Sequence, residues 1–192
     1  MDNDITYLTL RRKELTPYRE HILQFMLNLT DERETLFIKE YSNEEYQELC
    51  ENLVETIIFA IIALLEDEIV AVDAFTNGRK ELIHKLFPTV SGFVVVSKNL
   101  QGKGIGSKLV EDAQTILNKT WAFNLGEVKK NNVSMLRINE KTGWTKVTDD
   151  DTLVYFYRPC RKEMKLISPL FWISYWIYLR SKRVRELLHA FF

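Results

Sequence analysis

The sequence predicts a mixed α/β domain, in which strands alternate with helices, followed by a C-terminal helical extension. Two apolar, β-prone runs, Glu55 to Leu65 and Ile69 to Phe75, are separated by the charged residues 66–68, a pattern typical of a hairpin. An apolar strand over Val94 to Val96 then enters a glycine-rich turn and an amphipathic helix. Residues 168–192 combine an apolar run with basic side chains.

The elements before the glycine-rich turn follow from local patterns. Ile5 to Leu10 alternates as a strand does, and Leu15 to Leu29 has apolar residues at helical spacing. Residues 30–52 are charged, and Ser42 followed by glutamates is typical of a helix start. Because Phe93 to Val96 is apolar without interruption, we expect a central strand buried on both faces.

The elements after the turn alternate again. We predict a helix over Ile105 to Asn118, a strand over Trp121 to Val128, a helix from Asn132 and a hairpin formed by Trp144 to Val147 and Leu153 to Arg158. The first of these helices has a single apolar stripe, which should pack on the sheet. The stripe consists of Ile105, Leu109, Val110, Ala113, Ile116 and Leu117.

Length, cysteines and charge set the broad class. A chain of 192 residues can bury a core without disulfides or metals, and we predict one domain over residues 1–158 with an extension over residues 159–192. Cys50 and Cys160 form no C-x-x-C or Cys/His cluster, and the N-terminus has no cleavable signal, so we expect a cytoplasmic location. The net charge of −1 gives no reason to expect nucleic acid.

The glycine-rich turn predicts a phosphate site. Glycines at 102, 104 and 106 let backbone N–H groups surround an anion, and the following helix directs its positive end there. The spacing does not fit a P-loop, and Ser107 stands where a dinucleotide fingerprint has its third glycine. What remains is a Gln-x-x-Gly-x-Gly pattern that begins at Gln101.

A second segment lies downstream. Asn131 or Asn132 can cap a helix, and Gly143 stands where a left-handed residue ends one. Asn132, Met135 and Asn139 fall on one face of that helix. Such a face is suited to line a cofactor.

The two segments, Gln101 to Gly106 and Asn131 to Trp144, resemble the two signature motifs of the GNAT superfamily of acyl-CoA-dependent N-acyltransferases. The resemblance implies the GNAT fold, a central mixed, mostly antiparallel sheet flanked by helices. It also implies an N-acetyltransferase that passes the acetyl group of acetyl-CoA directly to an amine of a small molecule or peptide, without a metal. The resemblance extends over residues 5–158, and its specific motifs lie between Val94 and Trp144.

The resemblance also implies which residues bind acetyl-CoA. The pyrophosphate would accept backbone N–H groups of the turn, and the pantetheine arm would lie along the central strand, where an N–H meets the thioester carbonyl. Removing one preorganised oxyanion donor typically costs roughly 2.7 to 4 kcal/mol of barrier. The implied residues are Val94, Val95, Val96, Gln101, Gly102, Lys103, Gly104, Ile105, Gly106, Ser107 and Asn132.

The catalytic groups are less well defined. An amine acceptor must lose a proton, but the central strand has no acid, which leaves Asp73 and His84 as alternative bases. The tyrosine that usually protonates the thiolate is replaced by Asn139, which can donate a hydrogen bond but no proton. Water, Tyr155 or Tyr157 could substitute for it. An alternative function is therefore a degenerate domain that binds acyl-CoA as a sensor or interaction module.

The C-terminal extension is predicted to be helical. Ser168-Pro169 is typical of a helix start, and Leu170 to Leu179 is apolar on nearly every face yet too short to span a bilayer. From Arg158 onward eight basic and two acidic residues give +6, which leaves −7 for the preceding part. The pattern is compatible with packing on the domain, with a homodimer contact and with peripheral membrane contact at a surface.

Overall fold

The computed structural model of the chain describes residues 5–29, 41–77 and 88–191, with 182–191 described by their backbone alone. The seven strands of the described residues are β1 (Thr6–Arg11), β2 (Ile57–Leu65), β3 (Glu68–Asn77), β4 (Thr89–Val96), β5 (Phe123–Lys129), β6 (Thr145–Asp149) and β7 (Leu153–Pro159). The α-helices there are α1 (Arg19–Leu27), α2 (Asn43–Thr56), α3 (Ile105–Leu117), α4 (Val133–Lys141) and α5 (Met164–Phe191). The candidate base His84 lies outside the described residues.

The strands form one sheet in the order β1-β2-β3-β4-β5-β7-β6. The neighbouring strands pair antiparallel except β4 and β5, which are parallel. The predicted mixed, mostly antiparallel sheet is therefore confirmed. The hairpin predicted between residues 55 and 75 is confirmed as well: Glu66 and Asp67, with φ of 52° and 66°, form the left-handed two-residue turn between β2 and β3.

Helices cover both faces of the sheet. On one face α1 and α2 pack on β2 and β3, and α3 packs on the opposite face of the same strands. Because Val90 of β4 is in register with Asn124 of β5, strand alternation places α4 on the α3 side and α5 on the α1 side. The predicted stripe of α3 is largely buried: Ile105, Leu109, Val110, Ala113 and Leu117.

The predicted helix start at Ser42 is confirmed by its hydrogen bonds. The Ser42 hydroxyl accepts from the Glu45 backbone N–H at 3.2 Å, and the Glu45 carboxylate accepts from the Ser42 N–H at 2.8 Å. These two bonds form a capping box that satisfies two N–H groups at the start of α2.

Two predictions about local structure were wrong. Helix α5 begins at Met164 rather than at Ser168, and Pro169 lies inside it. Met164 and Ile167 pack against the same apolar cluster as Phe171, so tertiary contacts hold the first turn helical despite the proline. In β4, Val95 is buried but its neighbours Phe93, Val94 and Val96 are only half-buried, because the strand borders a cleft.

Candidate active site

The cleft lies where β4 and β5 separate. The two strands are paired only from Thr89 to Ser91, against Phe123 to Leu125, and then diverge toward their C-terminal ends. The gap has a volume of about 830 Å³ and is lined by both strands, the glycine-rich turn and α4. Beyond Ser91 the β5 side of β4 therefore has no strand partner among the described residues. An extended ligand can hydrogen-bond to this edge.

The glycine-rich turn forms one end of the cleft. Gly102 and Gly104 have φ of 77° and 84°, and a Cβ at either position would meet nothing within 4 Å. Both glycines line the cleft. Gly104 precedes α3, whose first backbone N–H groups, at Ile105 and the two residues after it, have no carbonyl partner within the helix. These donors and the helix dipole suit a phosphate group.

The side chains next to the turn have separate tasks. The Gln101 amide donates to the Val96 carbonyl at 3.0 Å and so fixes the turn to the end of β4. Ser107 lines the cleft, whereas Lys103 is exposed and does not line it. All the residues implied for cofactor binding except Lys103 line the cleft: Val94, Val95, Val96, Gln101, Gly102, Gly104, Ile105, Gly106, Ser107 and Asn132.

Helix α4 closes the other side. The Asn132 side chain accepts from the Met135 N–H at 3.1 Å, and Gly143, with φ of 80°, follows the end of the helix, as predicted. Asn139 is buried in the lining, and its Oδ1 has no hydrogen-bond partner among the described residues. An unpaired buried amide beside a cleft is suited to meet a ligand.

Asp73 of β3 is a buried acid in the lining of the cleft. It lies opposite Val94 in the β3–β4 register, on the α3 side of the sheet, and only 1% of its surface is exposed. Its Oδ2 has no hydrogen-bond partner among the described residues, and burial raises the pKa of the carboxyl well above its ordinary value. The residue lines the cleft.

Two polar residues at the cleft that have buried, unpaired atoms among the described residues were not predicted. Asn124 of β5 and Arg158 of β7 are in register, and both line the cleft. Asn124 Oδ1 and Arg158 Nη1 are buried without a hydrogen-bond partner among the described residues, and burial lowers the pKa of the guanidinium. The sequence does show a polar residue inside each of these two predicted apolar strands. That the two residues lie together becomes visible only once β5 is known to pair with β7.

Tyr155 and Tyr157 do not line the cleft. The Tyr155 hydroxyl donates to Asp150 at 2.8 Å, and the Tyr157 hydroxyl donates to the Ser168 carbonyl at 3.4 Å. Both side chains lie on the face of β7 that packs against α5, since strand alternation turns them away from α4. Of the three candidate catalytic residues, Asn139 lies at the cleft, whereas both tyrosines lie on the face of the sheet that packs against α5.

The cleft fits a pyrophosphate-bearing acyl donor. The space beside Gly102 and Gly104, the first N–H groups of α3 and the unpaired edge of β4 together accommodate a phosphate group followed by an extended chain. Fold and site thus define an acyl-donor-binding transferase. The family model of the Acetyltransferase (GNAT) family matches residues 24–144, and the chain belongs to that family, whose acyl donor is acetyl-CoA.

Solved structures with this fold are numerous, and they share little sequence with this chain. The yncA protein of Salmonella typhimurium, solved with its cofactor acetyl-CoA, is 13% identical with a TM-score of 0.58, covering 83% of this chain and 95% of that one. The ribosomal-protein-S18-alanine N-acetyltransferase of Escherichia coli is 18% identical, with a TM-score of 0.53 and coverages of 82% and 95%.

The ribosomal-protein-S5-alanine acetyltransferase of Vibrio fischeri is 11% identical, with a TM-score of 0.62 and coverages of 84% and 96%. At these identities the likeness concerns the fold. A comparison with curated protein sequences finds no match.

Proposed function

We propose that the protein transfers the acetyl group of acetyl-CoA to an amine of a small molecule or peptide by direct attack of that amine. The observation that carries the proposal is the position of Asp73 in the lining of the cleft, one strand away from the open edge of β4 at which an acyl chain would lie. Asp73 is a buried carboxyl, and its Oδ2 has no hydrogen-bond partner among the described residues. When bound, acetyl-CoA supplies an activated thioester.

Each part of the site then has a task. The turn from Gly102 to Gly106 binds the pyrophosphate through backbone N–H groups, and the edge of β4 orients the acyl chain and provides an oxyanion donor. Asp73 accepts the proton that the attacking amine loses. The Asn139 amide would donate a hydrogen bond to the thiolate sulfur released from acetyl-CoA, and a proton from solvent would neutralise that thiolate.

The turn is tested by the substitution Gly104→Val. A valine at φ of 84° is strained, and its side chain projects into the open space where the phosphate would bind. We expect calorimetric titration to show binding of acetyl-CoA and CoA to the wild type and a loss of both in the variant. Absence of binding to the wild type would contradict the proposed function.

A matched control separates strain from blockage. Gly143 has φ of 80° and open space beside it, but it does not line the cleft. Gly143→Val should therefore lower stability by a similar amount and leave binding of acetyl-CoA intact. If both variants lose binding of acetyl-CoA equally, the loss is caused by backbone strain and is no evidence that the phosphate binds at the turn.

A second candidate function is an acyl-CoA sensor or interaction module without turnover. The observation that favours it is Asn139, a carboxamide in the position where the family usually carries a proton donor. Release of free CoA with any amine of a broad panel supports the enzyme, whereas tight binding of acetyl-CoA with no release supports the module. The cytoplasmic location, the homodimer and the division into residues 1–158 and 159–192 stay predictions.

A further inference from the structure

Helix α5 has two apolar faces, and the domain covers one of them. Phe171, Tyr175 and Leu179 are buried against β5, β6 and β7, and the Phe171 ring stacks on Phe123 with centroids 3.8 Å apart. This face fixes the helix to the side of the sheet opposite α3.

The outward face of α5 is apolar as well. Leu166, Leu170, Ile173 and Ile177 are 86%, 63%, 48% and 55% exposed. Their spacing of four, three and four residues places them in one stripe, about 16 Å long, on the side of the helix opposite Phe171 and Tyr175. These four residues are called the outer stripe. Among the described residues, Val133 is the one other large apolar residue that is strongly exposed.

The charges beside the outer stripe are mainly positive. Lys165 and Arg180 are exposed at its two ends, and the Arg180 guanidinium lies over the Trp176 ring at 4.8 Å. The exposed Glu163 precedes the stripe, but between residues 164 and 185 the sequence has no acidic residue, and residues 180–185 contain four basic ones. A partner that fits this surface is therefore both apolar and anionic.

A second copy of the chain does not have that charge. In a parallel pair of α5 helices residues 180–185 would lie beside their own copies. In an antiparallel pair centred on the outer stripe they would lie beside residues 158–163, which have three basic residues and one acidic residue. Either arrangement places positive charge against positive charge, and like charges oppose association.

We propose that α5 docks on an anionic lipid bilayer, with the outer stripe in the boundary between headgroups and acyl chains and the basic residues at the headgroup phosphates. An apolar stripe with tryptophan and flanking cations is typical of a helix that lies in a membrane interface. None of the described helices combines the length and apolar character that a bilayer span requires. Because α3 lies on the opposite face of the sheet, docking leaves the phosphate turn directed toward water.

The test is co-sedimentation of the full chain with vesicles of phosphatidylcholine and phosphatidylserine, and with vesicles of phosphatidylcholine alone. We expect binding to the first, much weaker binding to the second, and release by salt. The double substitution Leu170→Gln with Ile173→Gln should weaken binding roughly tenfold or more. The substitution Arg180→Gln should weaken it less, since it removes one charge.

The matched control is Val133→Gln, because Val133 is 52% exposed on α4, on the other side of the sheet. This variant should bind vesicles as the wild type does. Far-ultraviolet circular dichroism shows that each variant is folded, and calorimetric binding of acetyl-CoA supports this for the α5 variants. Val133 itself lines the cleft, so the folding of its variant is checked by circular dichroism and melting temperature. Failure of the wild type to bind anionic vesicles overturns the proposal. Sedimentation equilibrium showing a dimer that the double substitution dissociates also overturns it, since a second copy would then cover the stripe.

Discussion

The burial of Asp73 has opposite effects on activity and on stability. As the proposed proton acceptor it must be ionised, yet burial favours its neutral form. A base with a raised pKa accepts a proton from an amine more readily than an ordinary aspartate does. The same desolvation makes the ionised carboxyl costly to bury.

The first prediction at this scale concerns turnover. Asp73→Asn should lower kcat by roughly 10²- to 10⁴-fold, the range typical of a general base, with binding of acetyl-CoA retained. Single-turnover release of CoA measures the effect once an acceptor amine is known. The control is Asp112→Asn, because Asp112 is a partly exposed partner of Lys108 at 2.8 Å on α3. Equal losses in both variants would remove Asp73 from the mechanism.

The second prediction concerns pH and the same carboxyl. Because the pKa of Asp73 is raised in the folded state, its protonated form contributes stability that is complete below the unfolded value near 3.8 and is lost as pH rises through the folded pKa. The free energy of unfolding, measured by urea at several pH values, should therefore fall across that interval. In Asp73→Asn this fall should be absent, and at neutral pH the variant should be the more stable protein.

The start of α2 offers a prediction at the scale of one element. Ser42→Ala removes the hydroxyl that accepts from Glu45, and it should lower the free energy of unfolding by about 1 kcal/mol. Ser174→Ala serves as the comparison, since Ser174 lies inside α5 and donates to the Leu170 carbonyl; a change within about 0.5 kcal/mol is expected there. Chemical denaturation measures both variants, and equal effects would mean that the capping box contributes little.

The attachment of α5 gives a second prediction of this kind. Phe171 of α5 is fully buried against Phe123 of β5. The substitution Phe171→Ala should therefore lower the free energy of unfolding by about 3–5 kcal/mol. Ile173 lies on the exposed side of the same helix, and Ile173→Ala should change stability by no more than about 0.5 kcal/mol. Small effects in both would show that α5 folds apart from the sheet.

At the scale of the whole molecule, the sequence predicted those features that depend on local patterns. The β2–β3 hairpin, the left-handed backbone of the glycine turn and the start of α2 each follow from a few adjacent residues, and the structure shows all three. The binding of a phosphate at the turn stays a prediction. Asn124 and Arg158 were missed because they meet only when β5 pairs with β7. The start of α5 was wrong because Met164 and Ile167 are held by a distant cluster that no local pattern reports.

The separation of β4 from β5 has a mechanical consequence. Strands β1 to β4 form one half of the sheet and β5 to β7 the other, and the two halves are joined by the short paired segment from Thr89 to Ser91. A molecule bound in the gap then contacts both halves of the sheet and stabilises their relative position, in addition to reacting. Since a ligand that binds only the folded state raises its stability by RT ln(1 + [L]/Kd), the melting temperature at a fixed ligand concentration ranks acyl donors by affinity before any acceptor has been found.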